Sequence, residues 1–135
     1  MITNEELLVD KISGFFWKAL DLGYDWKDAW DLLLNSEEGQ GILNLDYTYL
    51  VHHSGGTSAI KANEKLGNNY KKNSNIEVND IYLFTLLAEF ILLAHEQFNI
   101  DYKDIFSKMD LNEFMKSFGI ALGNYDSKII KNFLL

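Results

Sequence analysis

The chain has 135 residues, of which 47% are hydrophobic and 14% aromatic, a composition that excludes a disordered protein and allows one hydrophobic core. It contains no cysteine, which excludes disulfides, thiolate chemistry and cysteine-based metal sites. A formal net charge of −8 and the lack of arginine disfavour direct binding to DNA or RNA, because nucleic-acid phosphates repel an acidic surface.

The first half of the chain predicts three helices, each with a recognisable N-terminal cap. Thr3 and Glu6 form a capping box ahead of an amphipathic helix that ends before Gly23. The apolar stripe of this helix consists of Leu8, Ile12, Phe15, Phe16 and Ala19. Asp25 caps a second helix over 26–34, and Ser36 caps a third. The third helix is predicted to include Ile42, Leu45, Tyr49 and Leu50.

The second half contains the most apolar segment, which predicts a helix from Ile81 to Phe98 after a cap at Asn79 or Asp80. This segment is shorter than the ~20 apolar residues of a membrane span, so it predicts a buried core helix and no membrane insertion. Further helix starts are predicted at Asp101, at a capping box formed by Asp110 and Glu113, and at Asp126 or Ser127.

No segment alternates with a period of two, so the predicted fold class is all-α, a compact multi-helix bundle of about six to eight helices. Residues 1–135 are predicted to form a single helical domain, with a polar connector over 67–76 between the halves 1–66 and 77–135. An offset of 76 residues aligns 25–30 with 101–106. This alignment favours two related helical halves around a central buried helix 80–98, and chance recurrence of capping acids before aromatic residues is the alternative.

The start of the chain carries acids where a signal peptide has Lys or Arg, which predicts a cytoplasmic location. An apolar segment at 129–135 suits a dimer contact, so a monomer and a homodimer both stay open. The three histidines, His52, His53 and His95, lack the spacing of metal ligands. Neither a metal nor a cofactor is therefore predicted.

One candidate site is a glycine-rich stretch between His52 and Lys61. A glycine pair lets backbone N–H groups converge, and a helix N-terminus carries partial positive charge, so the stretch could hold an anion. Its anion-binding residues would be His53, Ser54, Gly55, Gly56, Thr57 and Lys61. The alternative interpretation is a Gly-Gly turn followed by a helix that Thr57 or Ser58 caps.

A second candidate site combines acidic and aromatic residues near the start of the second helix. The predicted partner-binding residues are Asp21, Tyr24, Asp25, Trp26, Asp28, Trp30 and Asp31. Aromatic residues beside carboxylates suit an interface with a basic protein, because tryptophan and tyrosine are frequent hot-spot residues. The alternative is an ordinary amphipathic helix that buries Trp26 and Trp30 and exposes Asp28 and Asp31.

The leading functional hypothesis is a non-enzymatic, small acidic module that binds and occludes a basic protein partner. Abundant Asn, Ile and Lys are typical of AT-rich bacterial or phage genes, and inhibitors, antitoxins, immunity proteins and phage anti-defence proteins are the roles expected there. The alternative function is a small-molecule or nucleotide-binding protein, including a hydrolase, that uses the stretch from His52 to Lys61.

Overall fold

The computed structural model describes residues 4–73 and 81–105, which form six α-helices and two short 3-10 helices and contain no strand. The α-helices are α1 (Asn4–Asp21), α2 (Trp26–Asn35), α3 (Glu37–Leu43), α4 (Tyr47–Val51), α5 (Gly55–Leu66) and α6 (Ile81–Phe98). The 3-10 helices are Gly67–Asn69 and Tyr102–Asp104. The predicted all-α bundle is confirmed. The caps predicted at Thr3, Asn79 and Asp80, and the helices predicted after residue 105, lie outside the described residues.

The core of the bundle forms where α1 packs against α5 and α6. The predicted stripe on α1 faces the core, since Ile12, Phe15, Phe16 and Ala19 are fully buried and Leu8 is partly buried against them. In α6 the apolar residues are buried on several faces of the helix, as expected of a central helix. No helix in the described part of the chain is long and apolar enough to cross a membrane.

Glycine permits the close crossing of α1 and α5. A Cβ atom on Gly55 would lie 2.2 Å from the carbonyl oxygen of Lys11, and a Cβ on Gly14 would lie 3.4 Å from the Cα of Gly55. The same face of α5 buries Ser58, whose Oγ has no hydrogen-bond partner among the described residues. This crossing therefore requires glycine at position 55, because a Cβ there would meet the carbonyl oxygen of Lys11.

An ion pair between a buried carboxylate and an exposed lysine ties α3 to α5. The side chain of Glu38 is 1% exposed, and Lys65 Nζ lies 3.0 Å from its Oε1. Lys65 also approaches the exposed Glu37, with Nζ 3.3 Å from Oε2. Hydrogen bonds to Glu38 and then to Glu37 raise the pKa of Lys65 above its ordinary value. Since a carboxylate is costly to bury without a cation, Lys65 stabilises this helix pair.

The predicted third helix is wrong in one respect, because the chain breaks it in two at Leu45. Ser36 caps α3 as predicted, with Oγ accepting the backbone N–H of Gly39 at 2.9 Å. Leu45 then takes a left-handed conformation with φ 60°, and its N–H donates to Ile42 O at 3.1 Å. The N–H of Asp46 donates to Gly41 O at 2.8 Å, which completes a Schellman motif. Asp46 then caps α4 by accepting the N–H of Thr48.

The first part of the predicted connector packs against the first half of the chain. The ring of Tyr70 lies 5.4 Å from that of Tyr24, and its hydroxyl donates to Asp31 Oδ2 at 2.6 Å. Gly23, with φ 100°, ends α1 as predicted, and a Cβ there would lie 2.8 Å from the Lys72 carbonyl oxygen. Residues 67–73 thus contribute to the packing of α1, α2 and α5, and 74–76 lie outside the described residues.

The internal repeat stays a prediction, although two features are consistent with it. Helices α1 and α6 both have 18 residues, and the aspartates that follow them act as caps. Asp25 caps α2 by accepting the N–H of Asp28, and Asp101 caps the second 3-10 helix by accepting the N–H of Lys103. The remainder of the second half lies outside the described residues, so the comparison ends there.

Candidate functional site

Two aromatic residues of the predicted partner-binding set belong to the core. Tyr24 is fully buried, and its hydroxyl donates to Asn63 Oδ1 at 2.8 Å. Trp30 is also buried, and its Nε1–H donates to Tyr102 O at 3.1 Å. The prediction that these two side chains contact a partner is therefore corrected, because the fold satisfies both their rings and their polar atoms.

Trp26 is the third aromatic residue of that set, and it is partly buried between α1 and α6. Its ring stacks on Phe84 with centroids 5.3 Å apart, and lies 6.2 Å from the ring of Phe16. Phe16 in turn stacks on Trp30 at 5.8 Å. The aromatic residues near the start of α2 thus form the amphipathic core stripe that the alternative interpretation predicts.

The four aspartates of the set remain at the surface, and we call them the acidic face (Asp21, Asp25, Asp28 and Asp31). Asp28 is partly exposed and the other three are exposed. Asp21 pairs with Lys18 at 3.2 Å, and Asp25 Oδ1 accepts the backbone N–H of Asp28 at 2.7 Å. Local hydrogen bonds thus fix the start of α2, and the carboxylates stay accessible.

The acidic face carries mutual repulsion. Burial, and next the nearby charges of Asp25 and Asp31, raise the pKa of Asp28 above its ordinary value, while Lys27 acts in the opposite direction. Burial and then the charge of Asp28 also raise the pKa of Tyr24. Both shifts have the sign expected where negative charges lie close together and only partly in water. The face would therefore be stabilised by an approaching cation.

A polar groove adjoins the acidic face and has a volume of about 380 Å³. Asp31 contributes to its lining, as do Leu34 and Asn35 at the end of α2, Leu43 and Asn44 at the end of α3, and Asp101 with Lys103. Helix C-termini carry partial negative charge, which attracts cations. The described lining of the groove thus combines two carboxylates and the ends of α2 and α3 with one cation, Lys103.

The glycine-rich stretch is the start of α5 and not a Gly-Gly turn. Ser54, and neither Thr57 nor Ser58, is the N-cap, with Oγ accepting the Thr57 N–H at 3.0 Å. The hydroxyl of Ser54 also donates to Thr57 Oγ1 at 2.9 Å. Gly55 and Gly56 are the first two residues of the helix, so the predicted Gly-Gly turn is wrong, and anion binding at this helix start stays a prediction.

The remaining predicted anion ligands are brought together but bond to one another. His53 Nδ1 lies 3.0 Å from Thr48 O and therefore donates, so its Nε2 can accept from Lys61 Nζ at 2.9 Å. The imidazole also stacks on the ring of Tyr49. These contacts connect α4 to α5, which gives His53 and Lys61 a structural role.

The other histidines do not join this cluster. His95 stacks on Tyr102 at 3.9 Å, and its Nδ1 donates to Ile100 O at 2.9 Å. His52 meets the ring of Tyr47 edge-on at 5.2 Å. Within residues 4–73 and 81–105, no group of three or more His, Asp or Glu side chains is placed to hold a metal ion.

An apolar patch at α4 was missed from the sequence. Leu45, Tyr47 and Val51 are 43%, 66% and 52% exposed, and we call them the α4 patch. Tyr47 and Val51 lie four residues apart and therefore share one face of the helix. The four-residue spacing of Tyr47 and Val51, with polar Asp46 before them and polar His52 after them, is the sequence signal that could have indicated this patch. Periodicity alone placed Leu45 inside the predicted third helix, and that placement is wrong, because α3 ends at Leu43.

Comparison with known proteins adds no functional assignment. No protein family, no curated protein and no solved structure matches this chain. The function must therefore be argued from the surface of the bundle.

Proposed function

We propose that this protein is a non-enzymatic binding module whose acidic face docks a basic protein partner. The observation that carries the proposal is the position of the four aspartates at the surface around the start of α2, where three are exposed and Asp28 is partly exposed. Like charges that lie this close together repel one another. Lysine or arginine side chains of a partner would relieve this repulsion. The polar groove beyond Asp31 adds the negative ends of α2 and α3 to the same surface.

Binding of this kind acts by occlusion. A net charge of −8 gives long-range attraction to a cationic active site or nucleic-acid groove and speeds association with it. Inhibitors, antitoxins, immunity proteins and phage anti-defence proteins all act by covering such a surface, and we place this protein among these roles. We propose that it works in the cytoplasm and needs no cofactor.

The test is affinity capture with three matched baits from a lysate of the source organism, read by mass spectrometry. The first bait is the native chain. The second carries Asp→Asn at the four positions of the acidic face, since asparagine can still cap α2 and can still accept from Tyr70. The third loses the same number of charges at exposed acids elsewhere, namely Asp10→Asn, Glu37→Gln, Glu64→Gln and Glu96→Gln.

We expect one basic protein to be captured by the native bait and by the third bait, and lost with the acidic-face variant. Equal loss with both variants would mean that net charge alone attracts the protein. Equal retention by both would mean that the carboxylates play no part. Either result would overturn the proposal, provided that circular dichroism shows all three baits to be folded.

A further inference from the structure

The α4 patch combines exposure with backbone strain. Three helix ends in the described residues pass through a left-handed residue, and two of them use residues that tolerate it, Gly23 at φ 100° and Asn99 at φ 52°. The third is Leu45 at φ 60°, where a side chain with Cβ meets the following carbonyl oxygen. A large apolar residue is thus held in an unfavourable conformation, and much of it faces water.

The neighbours of Leu45 extend this apolar surface. Tyr47 and Val51 are more exposed than Leu45 and project from the same short helix. Large exposed aromatic and aliphatic side chains close together are typical of protein–protein contact sites. Functional positions are where residues are expected to depart from the usual backbone conformation or from the usual burial of apolar side chains. Leu45 departs from both, since it has a positive φ and an exposed apolar side chain.

The charges around the patch indicate what would cover it. Asp46 is exposed between Leu45 and Tyr47, and Asn44 lines the polar groove whose other end includes Asp31. The patch is therefore bordered by the carboxylate of Asp46 and by the groove that Asp31 also lines. A second copy of this chain would bring its own carboxylates to this interface, and repulsion between like charges opposes that contact.

We propose that the α4 patch is the apolar anchor of the interface, and that it receives a partner segment with a large apolar side chain flanked by lysine or arginine. This inference rests on the proposed function and names the chemistry of the partner. The apolar side chain packs on Leu45, Tyr47 and Val51, and the basic flanks face Asp46 and the groove. The patch thereby takes the anchoring role that the buried Tyr24 and Trp30 cannot fill.

The test uses a phage-displayed library of random peptides selected on the immobilised native protein. Selected peptides are then measured against three variants. Leu45→Asn combined with Tyr47→Ser removes the anchor and keeps a residue that tolerates φ 60°. Ile60→Gln removes an exposed apolar residue of α5 as a control. The third variant is the acidic-face Asp→Asn chain with Asp46→Asn added, because the basic flanks are proposed to face Asp46 and asparagine can still cap α4.

We expect enriched peptides to carry a large apolar residue beside Lys or Arg, and to lose at least about tenfold in affinity on the anchor variant, or about 1.4 kcal/mol. Their affinity for Ile60→Gln should not change. Absence of enrichment, or equal binding to the anchor variant, would overturn the anchor and leave the acidic face untouched. Peptides that need the anchor but bind the acidic-face variant equally would overturn the basic partner itself.

Light scattering over a range of protein concentrations tests separately whether a second copy of the chain covers the α4 patch. We expect a monomer throughout. A dimer that forms at high concentration and is lost in the anchor variant would assign the patch to self-association, and the inference would then be wrong.

Discussion

Replacing Leu45 by glycine and, separately, by alanine tests the break between α3 and α4. Both variants lose the same leucine side chain, so the difference between them isolates the backbone conformation. At φ 60° a residue with Cβ costs roughly 1–2 kcal/mol that glycine does not incur. Glycine loses roughly 0.5–1 kcal/mol more backbone entropy on folding. The glycine variant should therefore be more stable than the alanine variant by about 0.5–1 kcal/mol.

The assay is urea unfolding followed by circular dichroism, with equal slopes required before midpoints are compared. The control is the same pair of substitutions, glycine and alanine, at the exposed position 60 within α5. There the alanine variant should be more stable than the glycine variant by about 1 kcal/mol. If the helix continued through residue 45, as periodicity predicts, the alanine variant would be more stable than the glycine variant at position 45 too. An alanine variant as stable as the glycine variant would therefore refute the Schellman motif and the strain at Leu45.

Three further predictions concern packing, and each is measured by urea unfolding. Gly55→Ala should destabilise the protein by about 3 kcal/mol because its Cβ would meet a backbone carbonyl. Gly56→Ala, whose Cβ would make only ordinary van der Waals contacts with Lys18 and Ser54, should stabilise by about 0.5 kcal/mol. Lys65→Met should destabilise the protein, because the buried carboxylate of Glu38 loses its cation. The pKa of Lys65 is raised in the folded state, so this contribution is present below its ordinary pKa and is lost as pH rises past the raised one. Ser58→Ala should stabilise by about 1 kcal/mol, since an unsatisfied hydroxyl is removed. Equal effects at the two glycines, a neutral Lys65→Met or a destabilising Ser58→Ala would each contradict this packing.

Local signals predicted the helices well. Asp25 and Ser36 cap the helices assigned to them, and Gly23 ends the first, because each interaction spans only a few residues. The apolar segment from Ile81 to Phe98 forms one helix with the predicted bounds. These features depend on residue type and spacing, which a single sequence displays directly.

The errors arose where a distant residue decides the role of a local pattern. Trp30 could be an interface anchor or a core residue, and its N–H partner lies 72 positions away on Tyr102. Gly55 could open a loop or permit a helix crossing, and the Lys11 carbonyl from α1 decides between them. Leu45 was placed inside a continuous third helix because periodicity counts apolar residues and does not detect a left-handed backbone.

The acidic face shows which part of a site a sequence can supply. Its four aspartates were found from composition, and the structure places them at the surface around the start of α2. The prediction that Tyr24 and Trp30 contact a partner failed because both side chains are buried and donate hydrogen bonds to distant residues, Asn63 and Tyr102. The α4 patch stayed hidden because exposed and buried apolar residues look alike in a sequence.

The most direct test of the central claim, that the acidic face binds a basic protein, is the association rate constant of the captured partner as a function of salt concentration. The native chain and the variant that loses acids elsewhere should both associate more slowly as salt rises, because screening weakens long-range attraction. The acidic-face Asp→Asn variant should associate slowly at low salt and respond weakly to added salt. If that variant shows the same rate and the same salt dependence as the native chain, the acidic face is not the binding surface.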